Sequence, residues 1–172
     1  YNTVDHKPWP YATLHRFHFM DRYKNQISGY DYYFYIDVDC EIRAGIGNEV
    51  LSDRTGTRHC GFMMHRGSYE SNPKSTSYVK PEEGEYYFGG GFWGFSSAEF
   101  WEFVTVAKGM IDKDISRGIK PEHNDEAVLN RYFIDNPPTK ILSPSYHYPE
   151  GHIDYYRNRW PENYNCIILL LE

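Results

Sequence analysis

The sequence predicts a single α/β domain, and three features carry that prediction. A segment with apolar residues at helical spacing stops at Ser28-Gly29 and leads at once into a short aromatic and β-branched run, Tyr32 to Val38. A longer helical pattern starts at Ser96. Between and beyond them lie short apolar pieces broken by Gly, Pro, Asn and Ser, as expected of short strands joined by loops.

Taken in order, residues 1 to 11 are polar and marked by Pro8 and Pro10. Thr13 is placed to cap a helix carrying Leu14, Phe17, Met20 or Tyr23, and Ile27. Gly29 can take the left-handed turn that ends it. Tyr32-Tyr-Phe-Tyr-Ile-Asp-Val38 reads as a strand buried on both faces. Asp37, Asp39, Glu41 and Arg43 fall at its carboxyl end, the edge at which open α/β sheets bind ligands.

Residues 44 to 96 read as short strands and loops. Ser96 and Glu99 have capping-box spacing, and Phe100, Phe103, Val104, Ala107, Met110 and Ile111 share one face of a helix ending near Gly118. A second helix begins after His123-Asn124, with Asp125 and Glu126 in its first turn and a stripe of Val128, Leu129, Tyr132 and Phe133. Asn136-Pro-Pro138 stops it, Lys140-Ile-Leu142 reads as a strand, and an aromatic tail runs from Tyr146 to Trp160.

Composition narrows the function. A net charge of -6 with dispersed basic residues offers no phosphate-tracking stripe, so nucleic acid is not an expected partner. Three cysteines form no CxxC pair, which indicates neither a disulfide framework nor a zinc site and fits a reducing compartment. The histidines and cysteine at His15, His18, His59, Cys60 and His65 match no standard zinc spacing. The longest apolar run, Cys166 to Leu171, falls far short of the about 20 residues a membrane span needs, and no leader is visible. Tyr, Phe and Trp make up 18 % of the chain, enough to offer flat faces to a sugar or simply to fill a core.

The chemistry centres on carboxylates. Asp37 and Asp39, two apart on an extended segment, would lie on one side of it, where hard oxygen ligands suit Mg²⁺ or Mn²⁺ and leave positions for phosphate. The same Asp-x-Asp spacing also occurs on solvated loops. Glu126, beside Asp125, can stabilise or attack an electron-poor sugar carbon, although first-turn carboxylates are stabilised by the helix dipole with no function at all. Gly89-Gly90-Gly91 is walled by aromatics and lacks the Lys-Ser/Thr of a phosphate loop, so it reads as a sugar pocket or a tight strand.

Several segments together resemble the retaining glycosyltransferase family of the histo-blood-group A and B transferases and alpha-1,3-galactosyltransferase. They are Trp9 with Arg16, Tyr35-Ile-Asp-Val-Asp-Cys-Glu-Ile-Arg43, Gly56-Thr-Arg-His59, Tyr78-Val-Lys-Pro-Glu-Glu-Gly-Glu-Tyr-Tyr-Phe-Gly-Gly90, His123-Asn-Asp-Glu-Ala-Val-Leu-Asn130 and Pro138-Thr-Lys-Ile-Leu-Ser-Pro144. The resemblance implies a GT-A fold and α-1,3 transfer of galactose or N-acetylgalactosamine from a UDP-sugar to a galactoside, with Mn²⁺, or Mg²⁺, on Asp37 and Asp39.

It further implies that Glu126 is the catalytic carboxylate, that Arg16, Val38 and Asp125 contact the donor, and that Phe88, Gly89 and Gly90 sort its sugar, two glycines leaving room for an N-acetyl group. His59 is matched to a contact with the acceptor galactose, and Trp93 and His123 are expected beside it on the acceptor side. The chain departs from the pattern at His123-Asn124, where Trp-His is common, and in lacking a basic tail, for which Arg157 and Arg159 are the candidate substitutes. The uridine-binding half expected before residue 9 is not visible, so the chain reads as a fragment or a minimal version. Without a membrane stem it resembles microbial or viral members, and a cytoplasmic location is the expectation. Two rivals stay open: a non-catalytic carbohydrate-binding relative, and a metal-dependent phosphohydrolase using the same aspartates.

Overall fold

The computed structural model describes residues 6–151 and 153–171, so the start of the polar lead and the final Glu172 lie outside the described residues. The first helical region is three short pieces, α1 (Tyr11–Leu14), α2 (Arg16–Arg22) and α3 (Lys24–Ile27). Thr13 is not its cap: it lies inside α1, with its hydroxyl donating to Pro10 O at 3.0 Å. Leu14 and Phe17 are buried and Met20 packs beside them, as the spacing predicts.

The main sheet has the order β1 (Tyr32–Ile36), β4 (Phe88–Ser96), β3 (Arg54–Arg58), β5 (Lys140–Leu142). Only β3 and β5 run parallel; β1 and β3 both pair antiparallel with β4. The strand Tyr32–Ile36 is therefore real, but the expectation of burial on both faces is wrong. Among the described residues it pairs on one side only, and Tyr32, Phe34 and Ile36 are exposed while Tyr33 and Tyr35 turn inward. A run of four aromatics and an isoleucine hides the alternation that would have revealed this.

Helices α4 (Ser97–Ser116) and α5 (Asn124–Asp135) cover one face of the sheet. Phe100, Phe103, Val104, Ala107 and Ile111 join Val128, Leu129, Tyr132 and Phe133 in the main core with Trp93 and Phe95. Ser96 stands at the cap position of α4 but makes no side-chain capping bond, and Glu99 pairs instead with Arg54 of β3 at 2.8 Å.

A second sheet, β2 (Cys40–Ile42), β7 (Ile168–Leu170), β6 (Tyr148–Pro149), uses the apolar run near the carboxyl end as its middle strand. Helix α6 (Ile153–Arg157) precedes that run, and the aromatic tail folds back with Trp160 buried beside Tyr148, Cys60 and Met63. Among the described residues no helix is long and apolar enough to cross a membrane.

Asn130 ties the sheet to the helix that covers it. Its buried amide accepts from Phe88 N–H at 2.9 Å and donates to Phe88 O at 2.8 Å and Glu126 O at 2.9 Å, so one side chain locks the first residue of β4 to the second turn of α5. Truncation would leave two backbone groups of Phe88 buried without partners. Asn130→Ala is expected to cost about 2–4 kcal/mol in a denaturant titration, well beyond the effect of a surface substitution.

Candidate active site

A cleft of about 900 Å³ opens where α1, α2, the end of β1, the glycines of β4 and the start of α5 converge. The carboxylates on its wall are Asp37, Asp39, Glu122, Asp125 and Glu126; Arg16 is the one Arg or Lys among the described lining residues.

Asp37 and Asp39 do not lie on an extended segment. The chain turns after Ile36: Cys40 N–H donates to Asp37 O at 3.2 Å, and Asp37 N–H donates to Gly91 O at 3.0 Å. Both carboxylates reach the cleft because of this turn rather than because of strand alternation. The far side is fixed by Leu171 N–H donating to Asp39 O at 2.8 Å, which ties the turn to the second sheet. Val38 at the apex lines the rim with its side chain fully exposed.

Arg16 holds the acidic wall together. Its guanidinium lies 3.0 Å from Asp125, 3.7 Å from Asp37 and 4.4 Å from the centroid of the Tyr35 ring. Tyr35 in turn donates its hydroxyl to Asp37 Oδ1 and stacks on Trp93 with centroids 5.1 Å apart. Burial pushes the Asp125 carboxyl above the usual range, and Arg16 offsets part of that by favouring the anion. The Tyr35 phenol is pushed up mainly by burial.

Glu126 is held differently, by donors that carry no charge. Gly90 N–H donates to Oε2 at 2.7 Å and the buried Tyr87 hydroxyl donates to Oε1 at 2.7 Å. Two donors on separate oxygens fix the plane of the carboxylate in the cleft wall while the first turn of α5 supplies the helix dipole. The backbone reaches this turn through Asn124, whose φ of 48° is left-handed and tolerated best by Asn, Asp or Gly.

Three histidines reach the same cleft. His59 accepts from Gly61 N–H at Nδ1, 3.0 Å, so its proton is on Nε2. His123 has Nε2 within 2.8 Å of Ser68 Oγ. His147, which in the sequence is merely part of the aromatic tail, lines the cleft beside His59 with ring centroids 5.4 Å apart. Burial lowers His59 to about 4, with His123 adding to the effect. Burial also lowers His147 to about 4, helped by His59 and opposed by Glu126, Asp37 and Asp39.

Other expected contacts fail on geometry. Trp93 is 1 % exposed and packed between Tyr35 and Phe103, so it cannot touch an acceptor; β4 turns its ring into the core. Phe88 likewise points inward against Phe133 and is no part of the cleft. At Gly89 an added Cβ would lie 2.8 Å from the His147 ring, and at Gly91 again 2.8 Å, so these glycines make room for His147 rather than for a sugar substituent. Gly90, by contrast, lines the cleft, and a Cβ added there would lie 3.4 Å from the Glu126 carboxylate. Arg157 hydrogen-bonds the Tyr148 hydroxyl at 2.7 Å and Arg159 covers Tyr155, so in this structure neither reaches over the cleft.

As a cation site, the Asp37–Asp39 turn is sparse but suitable. Among the described residues no group of three or more His, Cys, Asp or Glu is arranged around a common point. Two carboxylates, one exposed and one tied at a single oxygen by Tyr35, fit an ion such as Mg²⁺ or Mn²⁺ that takes one or two protein carboxylates and fills its remaining positions with water and phosphate oxygens.

The comparison with known proteins decides the family. The model of "Glycosyltransferase family 6" matches residues 2–159, a span that includes every described residue of the cleft except Leu170. This chain belongs to glycosyltransferase family 6. It is 34 % identical over 143 residues to the histo-blood group ABO system transferase 1 of Rattus norvegicus, which covers 80 % of this chain and 41 % of that protein. It is 37 % identical over 119 residues to the globoside alpha-1,3-N-acetylgalactosaminyltransferase 1 of Canis lupus familiaris, covering 67 % of this chain and 34 % of that one. The human globoside enzyme is 32 % identical over 146 residues, or 82 % and 42 % of the two chains. The family 6 chain thus spans about two-fifths of the length of the curated relatives it matches.

The His59 and His147 imidazoles of this family 6 cleft make a pH prediction. Their folded pKa values near 4 lie below the ordinary 6.5, so between those limits the unfolded chain binds more protons than the folded one. Stability is intact above that window and is lost as pH falls through it. Thermal melts between pH 7 and 4 are expected to show a declining melting temperature, and a His59→Gln, His147→Leu double variant should flatten the decline.

Proposed function

We propose that this chain carries the catalytic core of a retaining glycosyltransferase of GT-A type. It moves N-acetylgalactosamine or galactose from a UDP-sugar to a hydroxyl of a galactoside acceptor, forming an α-1,3 linkage. The observation that supports this best is the electrostatics of the cleft. Five carboxylates against one guanidinium repel a bare diphosphate, yet the Asp37–Asp39 turn offers oxygen ligands at the rim and Glu126 stands fixed further along the same wall. That arrangement suits an anionic ligand accompanied by a divalent cation, with a second, cation-free carboxylate aimed at positive charge that develops elsewhere on the ligand.

Mn²⁺ or Mg²⁺ on Asp37 and Asp39 would neutralise the diphosphate and assist its departure. The protein's own groups do the rest. Arg16 and Asp125 form a rigid ion pair that can accept and donate hydrogen bonds to the hydroxyls of the donor sugar. As the bond between the anomeric carbon and the phosphate oxygen breaks, its electron pair leaves with the diphosphate. The Glu126 carboxylate stabilises the electron-poor carbon. The acceptor oxygen then bonds that carbon, and its proton passes to the departing phosphate. His59 offers an Nε2–H donor on the acceptor side, and His123 lines the same end. The names of the relatives, an ABO system transferase and a globoside alpha-1,3-N-acetylgalactosaminyltransferase, agree with this substrate class.

A panel of UDP-sugars assayed for UDP release with Mn²⁺, Mg²⁺ or chelator tests the reading. Release from UDP-N-acetylgalactosamine or UDP-galactose with metal is expected; glycan binding without any release would contradict it. Glu126→Gln should keep donor affinity within a few-fold and slow transfer about a hundredfold or more, and normal turnover would remove its assigned role. Tyr87→Phe, which frees one oxygen of Glu126 while keeping the ring, should lower kcat about tenfold with little change in donor KM.

A further inference from the structure

His147 lines the cleft but has no part in the transfer chemistry of Asp37, Asp39, Asp125 and Glu126. It is 6 % exposed, yet it reaches the cleft wall between Asp37 and His59. Its seat exists only because β4 carries no side chains at Gly89 and Gly91. An added Cβ would meet Nδ1 at the first and Nε2 at the second, in both cases at 2.8 Å. The two edges of the ring are thereby distinguished. Nδ1 is enclosed on the Gly89 side and has no hydrogen-bond partner, whereas Nε2 lies on the side of Gly91, which itself lines the cleft next to Asp37 Oδ2.

A neutral imidazole must keep one proton, and on Nδ1 it would be a buried N–H with no acceptor, a costly arrangement. On Nε2 it becomes a donor at the cleft wall. Resting on the transferase reading, we infer that His147 is a ligand-contacting residue, its Nε2–H donating to a phosphate oxygen of the nucleoside diphosphate that Asp37 and Asp39 face. A neutral donor suits that position, because it binds an anion without competing with a cation for the neighbouring carboxylates.

The test compares wild type with His147→Leu, which keeps apolar bulk, and His147→Gln, whose amide nitrogen can approach the place of Nε2. UDP is titrated calorimetrically in the presence of Mn²⁺, and melting temperatures are recorded beside it. His147→Leu is expected to weaken UDP binding roughly tenfold or more while melting at or above the wild-type temperature, and His147→Gln to recover most of the affinity. Wild-type UDP affinity in His147→Leu overturns the inference. So does equal loss in both variants with a lowered melting temperature, which marks a packing role, or a change confined to acceptor KM, which places the ring on the other side of the reaction. If wild type binds no UDP with Mn²⁺, the transferase reading falls first and this inference with it.

Discussion

Five carboxylates share one cleft in this protein, and the fold depends on what prevents them from driving it apart. Arg16 sits among them, 3.0 Å from Asp125 and 3.7 Å from Asp37, with its flat face on Tyr35. That one side chain joins the first helical region, the turn after β1 and the start of α5. It leaves Asp39, Glu122 and Glu126 without a guanidinium of their own among the described cleft residues. The remaining negative charge is what an incoming cation would meet, and it explains why a diphosphate would need one.

Around that constraint the two ends of the cleft are built by different means. The turn bearing Asp37 and Asp39 is fixed through backbone bonds to Gly91 and Leu171, which leaves its carboxylates adaptable to an ion. Glu126 is clamped by Gly90 N–H and the Tyr87 hydroxyl, and the segments that supply these donors are held in register with α5 by Asn130. A preorganised carboxylate that need not move as charge develops is the arrangement electrostatic catalysis calls for.

Much of this was legible in the sequence, and the misses share a physical cause. The helical stripes of α4 and α5 and the clustering of Asp37, Asp39, Asp125, Glu126 and Arg16 follow from local spacing and from a family pattern. What local spacing cannot show is which way a strand faces. Tyr32 to Ile36 and Phe88 to Ser96 are so rich in aromatics and glycine that alternation leaves little trace, so β1 reads as buried on both faces and Trp93 as an acceptor contact. The turn at Asp37–Cys40 imitates the effect of an extended strand on the two aspartates. His147 gave no signal at all, because its meaning comes from glycines more than fifty positions earlier in the chain.

The central claim is that the two aspartates at the turn hold a cation through which the protein grips a diphosphate. Isothermal titration of UDP into the protein, once with Mn²⁺ and once in excess EDTA, with Asp39→Asn alongside, addresses it most directly. The account predicts clear binding with Mn²⁺, and little or none in EDTA or in the variant. Equal affinity in all three would show that the acidic cleft accepts the nucleotide unaided, and the account would be wrong.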